Sequence, residues 1–197
     1  MKRLFYPNNF SFIEEEELCK GDALLISVPF SDTGNEPKNL EELLCKCDDL
    51  DIPVLLDLAY INLSIDIEID LTHKCIEYIV SSLSKVFPIE NHRVGIRLQR
   101  KIWEDQLYVF NDEENNYINH MSAYIGTSLM KEWSSDYIFN KYRDKQLEYC
   151  KELGLQPSKC VIFGIDKNNK YPEYNRQGNT NRLCFSRVWD GRVQNVS

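Results

Sequence analysis

Three short stretches hold residue types able to do covalent and proton-transfer chemistry. The first is Asp57-Leu58-Ala59-Tyr60, directly after an apolar run. A carboxylate just past a buried strand has lost much of its water and needs a cationic or strongly donating partner. The same aspartate also fits a helix cap or a turn. The second is Ser82-Leu83-Ser84-Lys85, with Arg93 eight residues beyond the lysine. An amine at the end of an apolar strand is costly to leave unpaired, and such a lysine can act as a nucleophile or Schiff-base former. Arg93 offers a planar fork for a phosphate, with Ser82 and Ser84 as hydroxyl donors. Each charge on its own reads equally as a surface residue. The third is Arg182, which opens the apolar run Leu183-Cys184-Phe185. It can take a carboxylate bidentately or serve as an edge-strand charge. Arg187 and Arg192 compete for that role.

Such residues must be held by strands and by the helices that cover them. Ala23 to Val28 is apolar and bounded by Gly21 and the turn residues Ser31-Asp32-Thr33-Gly34-Asn35, which predicts a buried strand. Leu40, Leu43, Leu44 and Cys47 recur at helical spacing, with Asn39 as N-cap. Ile52 to Leu56 predicts a second strand, ending at Asp57. Strand, helix, strand is a βαβ unit, and near-continuous apolar strands predict a parallel sheet covered on both faces. Cys75 to Val80 predicts a third strand and Val94 to Leu98 a fourth. Past residue 116 the period turns helical. Ile118, Met121, Ile125 and Leu129 form one face. Ile138, Tyr142, Tyr149, Cys150 and Leu153 form a second, stopped by Gly154 and Pro157. Cys160 to Ile165 and Leu183 to Val188 predict strands of a smaller unit, joined by a polar loop. The expected organisation is α/β over 1–133, a mainly parallel sheet covered by helices, followed by a small α+β domain over 134–197.

Taken in order, these clusters resemble the fold-type I pyridoxal-phosphate enzymes, specifically the class I/II aminotransferase family. That family carries Asp-x-x-Tyr after one strand, then Ser-x-Ser-Lys, then Arg-x-Gly eight residues past the lysine. Here Asp57 and Tyr60 are three apart, Lys85 and Arg93 are eight apart, and Gly95 completes the last element. Val28-Pro29-Phe30-Ser31-Asp32-Thr33-Gly34 looks like the family's Pro-x-Asn-Pro-x-Gly turn, with Ser31 where the family has asparagine. The resemblance implies a pyridoxal 5'-phosphate cofactor held by Lys85 as a Schiff base, with the freed lysine moving the substrate's α-proton. It implies that Asp57 pairs with the pyridine nitrogen and that Tyr60 donates to the ring's phenolate oxygen, near Ser31. Ser82, Ser84 and Arg93 would bind the phosphate, and Arg182 the α-carboxylate of an amino-acid or oxo-acid substrate. A homodimer is implied as well. Aminotransfer is the leading reaction; decarboxylation, racemisation and γ-elimination would use the same lysine and aspartate. Family members are much longer, and what they add lies upstream of the Asp57 strand. The expectation is therefore a fragment or a reduced relative, or alternatively an inactive truncated relative serving as a binding or interaction module.

Composition narrows the field further. The chain has 197 residues, 43% apolar and 27% charged, enough to build a core. A net charge of -8 argues against a nucleic-acid or anionic-membrane surface, though not against a local anion pocket. No apolar run reaches the roughly 18 residues of a membrane span, and the N-terminus lacks an apolar leader, so a cytoplasmic chain is expected. Seven scattered cysteines include one C-x-C pair, Cys45 and Cys47. No second pair or suitably spaced histidine completes a zinc pattern, so no metal and reduced thiols are expected. Glu14 to Glu17 reads as a solvated acidic face. Ser82-x-x-Lys85 also matches the S-x-x-K of serine acyl-enzymes, which should open a helix. The K-T-G element that should follow it does not occur.

Overall fold

The structure is a computed structural model that describes residues 17–87, 89, 91–111, 117–175 and 180–187. Its first sheet has four strands in chain order. β1 (Leu24–Ser27), β2 (Val54–Asp57) and β3 (Ile76–Ser82) run parallel, and β4 (Gly95–Gln99) returns antiparallel along β3. α1 (Leu40–Leu50) makes the crossover from β1 to β2, as the βαβ pattern requires. Asn39 stands at its N-cap position without a side-chain cap bond. Leu40, Leu44 and Cys47 of α1 pack on Ile26, Val28, Val54, Leu56 and Ile76. Leu44 and Leu56 are wholly buried, each contributing about 1.5–3 kcal/mol by removal from water.

Cover of this sheet is uneven, against the expectation of two buried faces. Leu25 is 39% exposed and Leu98 on β4 is 59% exposed. An apolar run reports that a strand suits burial; it does not say which segment lies over each residue.

α2 (Gln106–Phe110) and α3 (His120–Glu132) follow. The α3 face differs from the periodicity. Its buried residues are Ser122 and Gly126, whereas Met121 is 61% exposed. The cause is close approach: a Cβ on Gly126 would sit 2.9 Å from Leu83 Cδ1 and 3.0 Å from Val94 Cγ1. Small residues, not large ones, let this helix reach the β3–β4 hairpin.

α4 (Tyr137–Leu153) ends where expected. Gly154 adopts the left-handed conformation, and its N–H turns back to the carbonyls of Cys150 and Lys151. A second, antiparallel sheet follows: β5 (Gln156–Pro157), β6 (Phe163–Asp166) and β7 (Asn181–Cys184). The last expected strand is shorter than its apolar run, because Phe185–Arg187 forms a 3-10 turn; Val188 lies outside the described residues. So do Glu14 to Glu16 and Arg192.

Packing crosses residue 134. Leu63 packs with Phe139, Cys160 and Phe163, and Leu83, Val86 and Phe87 pack with Leu129 and Ile138. All seven cysteines are free. Among the described residues no helix is long and apolar enough to cross a membrane.

Candidate functional site

The three parallel strands end at one edge of their sheet, the edge at which open α/β sheets gather their sites. Ser27, Asp57 and Val80 share one register row there, so the side chains of Ser27 and Asp57 share a face. The Ser27 hydroxyl donates to Asp57 Oδ2 at 3.3 Å, and the Ala59 N–H donates to Oδ1 at 3.0 Å. Two bonds leave acceptor capacity on an ionised carboxylate. Asp57 has no ion pair with another described residue.

Tyr60 precedes the 3-10 turn Ile61–Leu63, and its ring lies 5.4 Å from that of Phe163. The Lys85 Nζ stands 5.2 Å from the Tyr60 ring centroid. Lys85 itself is exposed and sits in a turn, not on a helix. Its neighbours fix that turn: Val86 and Phe87 both donate their N–H to the Leu83 carbonyl, and all three side chains are buried together. The S-x-x-K motif thus occupies a strand end and a turn rather than a helix start, which removes the geometry an acyl-enzyme serine needs.

Ser82 Oγ accepts the Ser84 N–H at 3.2 Å, while Ser84 Oγ is buried with no partner among the described residues. The Leu83 N–H donates to the Val94 carbonyl, carrying the β3–β4 pairing one step past Ser82 and Gly95. Arg93 directly precedes Val94 at that end of the hairpin. It is exposed and makes no ion pair with a described residue.

Arg182 enters from the second sheet. It is only 8% exposed, with its guanidinium carbon 4.1 Å from the Phe163 ring centroid. One terminal nitrogen donates to the Ser31 carbonyl, and its Nε is buried with no partner among the described residues. The side chain of Arg187 and all of Arg192 lie outside the described residues.

The turn at Ser31 is held from both sides. Gly34 adopts φ +64°, and its carbonyl accepts the Cys160 N–H at 3.0 Å. Asn35 Oδ1 accepts the Lys159 N–H at 3.0 Å. The segment leading into β6 is held in turn by Gln146, whose amide donates to the carbonyls of Ser158, Cys160 and Phe163.

Contacts join the expected residues into two groups. Tyr60 and Lys85 form one, with Tyr60 three residues past Asp57 at the end of β2, and Ser31 with Arg182 forms the other. Phe163 lies between them, touching Tyr60 and Arg182. Ser82, Ser84 and Arg93 lie along the β3–β4 hairpin beside Lys85. Reasoning from the sequence missed Ser27, Phe163 and Gln146. Gln146 left a signal: it stands four residues from both Tyr142 and Cys150, on the apolar face of α4.

Known proteins give the following comparisons. The family model for aminotransferase class I and II matches residues 9–153. No curated protein sequence matches the chain. An L-threonine-O-3-phosphate decarboxylase from Porphyromonas gingivalis is 15% identical with a TM-score of 0.62, covering 95% of this chain and 66% of its own. An aspartate aminotransferase from Thermotoga maritima is 16% identical with a TM-score of 0.60, covering 88% of this chain and 54% of its own. An aromatic aminotransferase from Pyrococcus horikoshii is 18% identical with a TM-score of 0.58, covering 80% of this chain and 47% of its own. At these identities the likeness is one of fold. The chain spans about half the length of the solved structures it matches.

Proposed function

The chain belongs to the aminotransferase class I and II family, and from that premise we propose that it binds pyridoxal 5'-phosphate and acts on an amino acid. Members of this family use that cofactor. The residues here fit it: Asp57 has spare acceptor capacity, Lys85 has an amine outside any described ion pair, and Ser84 has a buried hydroxyl without a partner. The observation that carries the reading is the Lys85 amine over the Tyr60 ring, at the end of the Asp57 strand.

When bound, the cofactor supplies an electron sink for the substrate's α-carbon. Lys85 would hold the cofactor through its amine and would serve as the general base for the substrate's α-proton. Asp57 keeps the pyridine nitrogen protonated, with Ser27 and Ala59 fixing the carboxylate. Tyr60 and Ser31 serve the ring oxygen. Ser82, Ser84 and Arg93 hold the phosphate. Arg182 would take the substrate carboxylate by exchanging its bond to the Ser31 carbonyl for a bidentate one to an anionic acceptor. Residues 134–197 form the small α+β domain that brings Arg182, and a second copy of the chain completes the site in the cytoplasm.

The test is to load the chain with cofactor and add amino acids one at a time. Conversion to pyridoxamine phosphate with release of an oxo acid supports aminotransfer. Carbon dioxide release redirects the reading to decarboxylation. A second reading is a binding module without catalysis. Cofactor binding with no response to any amino acid would support it instead.

A further inference from the structure

A separate cluster sits on α1 and the loop leading into β3, at the end of that strand opposite Lys85. Glu41, Cys45 and Asp48 lie four and three residues apart, which places them on one helix face. The loop lays His73 across that face. Its Nδ1 is 2.7 Å from Asp48 Oδ2, and its Nε2 is 3.1 Å from Glu41 Oε1. Cys45 Sγ is 3.8 Å from the same Glu41 oxygen, and the donor atoms of Glu41, Cys45 and His73 all lie within 4.8 Å of one another.

These separations match a metal's needs. Tetrahedral zinc, with bonds of about 2.0–2.3 Å, sets its donor atoms about 3.3–3.7 Å apart. The 3.1 and 3.8 Å separations lie within tenths of an ångström of these values, and the Cys45–His73 pair lies within 4.8 Å. The imidazole carries the second argument. It has a carboxylate oxygen against each nitrogen, and a neutral ring has one proton to give. The second nitrogen must hold either another proton or a cation. A carboxylate on Nδ1 is also the arrangement that fixes a histidine for metal binding through Nε2.

We propose that Glu41, Cys45 and His73 form a surface site for one zinc-class divalent cation, with Asp48 orienting the imidazole and water completing the coordination. The mixture of sulfur, nitrogen and oxygen donors selects against magnesium and calcium, which take oxygen shells. Asp48 acts as a positioning residue, because its other oxygen already accepts the Cys75 N–H at 2.6 Å. Cys75 is left out of the ligand set because it is buried and its thiol donates to the Leu44 carbonyl. Cys45 is exposed and open to water and metal. On binding, the metal–sulfur bond replaces the Cys45 S–H bond and the proton leaves to solvent. The site ties α1 to the start of β3 and is independent of the proposed cofactor chemistry.

The test uses the full chain, stripped with chelator and titrated with zinc by calorimetry, then with cobalt by absorption. One equivalent should bind, and cobalt should give a thiolate charge-transfer band. Cys45→Ser and His73→Gln should each weaken binding by at least about tenfold. Cys19→Ser and Cys184→Ser, also exposed cysteines, should leave it unchanged. Asp48→Asn should weaken binding but keep the cobalt–thiolate band. Cys45 is exposed, so Cys45→Ser does not disturb the core, and circular dichroism checks this. Binding that survives Cys45→Ser, or the absence of stoichiometric binding in the wild-type chain, overturns the proposal.

Discussion

The amine of Lys85 stands 5.2 Å from the centroid of the Tyr60 ring. That ring lies 5.4 Å from Phe163, over which the Arg182 guanidinium packs at 4.1 Å. A line of contacts therefore runs from the turn after β3, across the end of β2, to β7 in the second sheet. The ring face attracts the ammonium without locking it into a salt bridge. The amine makes no ion pair with another described residue.

Asp57→Asn preserves shape and removes charge. If Asp57 faces a protonated ring nitrogen, a charge-assisted bond worth about 1.5–3 kcal/mol is lost. Cofactor affinity should fall roughly ten- to hundredfold, read by fluorescence titration with pyridoxal phosphate. An unchanged affinity would remove Asp57 from the site.

Gln146→Leu strips the shared donor from three carbonyls, those of Ser158, Cys160 and Phe163. It also leaves Arg143 without the Gln146 oxygen it donates to. Each buried group left unsatisfied costs about 1–3 kcal/mol. Each carbonyl keeps one other donor, from Arg143, the Phe163 N–H or the Ser158 N–H, so the variant should lose about 1–3 kcal/mol in urea unfolding rather than the sum of three bare groups. A loss under about 1 kcal/mol would mean water replaces the amide.

Gly34→Ala meets two obstacles together. The backbone is left-handed there, and a Cβ would lie 2.7 Å from both Cys160 Cβ and a Phe163 ring carbon. Left-handed strain and overpacking each cost about 1–3 kcal/mol. The substitution should lower the thermal midpoint by several degrees or more and loosen the Ser31–Arg182 contact. Limited proteolysis of the 31–36 turn reads the second effect.

Legibility differed from element to element. The βαβ unit was plain, because Leu24 to Ser27 and Val54 to Asp57 are short apolar runs flanking a helical period. The turn fixing Lys85 was not, since it depends on Leu83 packing beneath Gly126, and side-chain periodicity gives no weight to a glycine. The same blindness shifted the expected α3 face: Ile125 and Leu129 lie toward the packed side, but Ser122 and Gly126, not Met121, are its buried residues. Asp57, Tyr60 and Lys85 were singled out by their likeness to family motifs, and of these the structure brings the Lys85 amine over the Tyr60 ring. Phe163 was not singled out, because its position depends on bonds from Gln146 and on a turn more than 120 residues earlier. The Glu41–Cys45–His73 cluster escaped a search for spaced pairs because the fold, not the spacing, brings His73 to the helix.

Asp105 gives a pH test away from both sites. It takes a forked bond from Arg97 at 2.6 and 3.1 Å and caps α2 through the Tyr108 N–H. The Arg97 guanidinium, and then the Tyr108 N–H, hold the Asp105 carboxyl below the usual aspartate range. A carboxyl lowered on folding adds stability above its unfolded value, about 4. That stability is lost as pH falls through the lowered folded value. Urea midpoints should therefore drop less steeply on acidification in Asp105→Asn than in the wild type. Identical acid limbs would show that the pair adds nothing.

The central claim is that this chain holds pyridoxal phosphate through Lys85. The direct measurement is to mix the two, reduce with borohydride and map the modified lysine by mass spectrometry. The account predicts one cofactor per chain, confined to Lys85, with none incorporated by Lys85→Ala of equal thermal stability. Labelling spread over surface lysines such as Lys20 and Lys74, or labelling undiminished in Lys85→Ala, would contradict it.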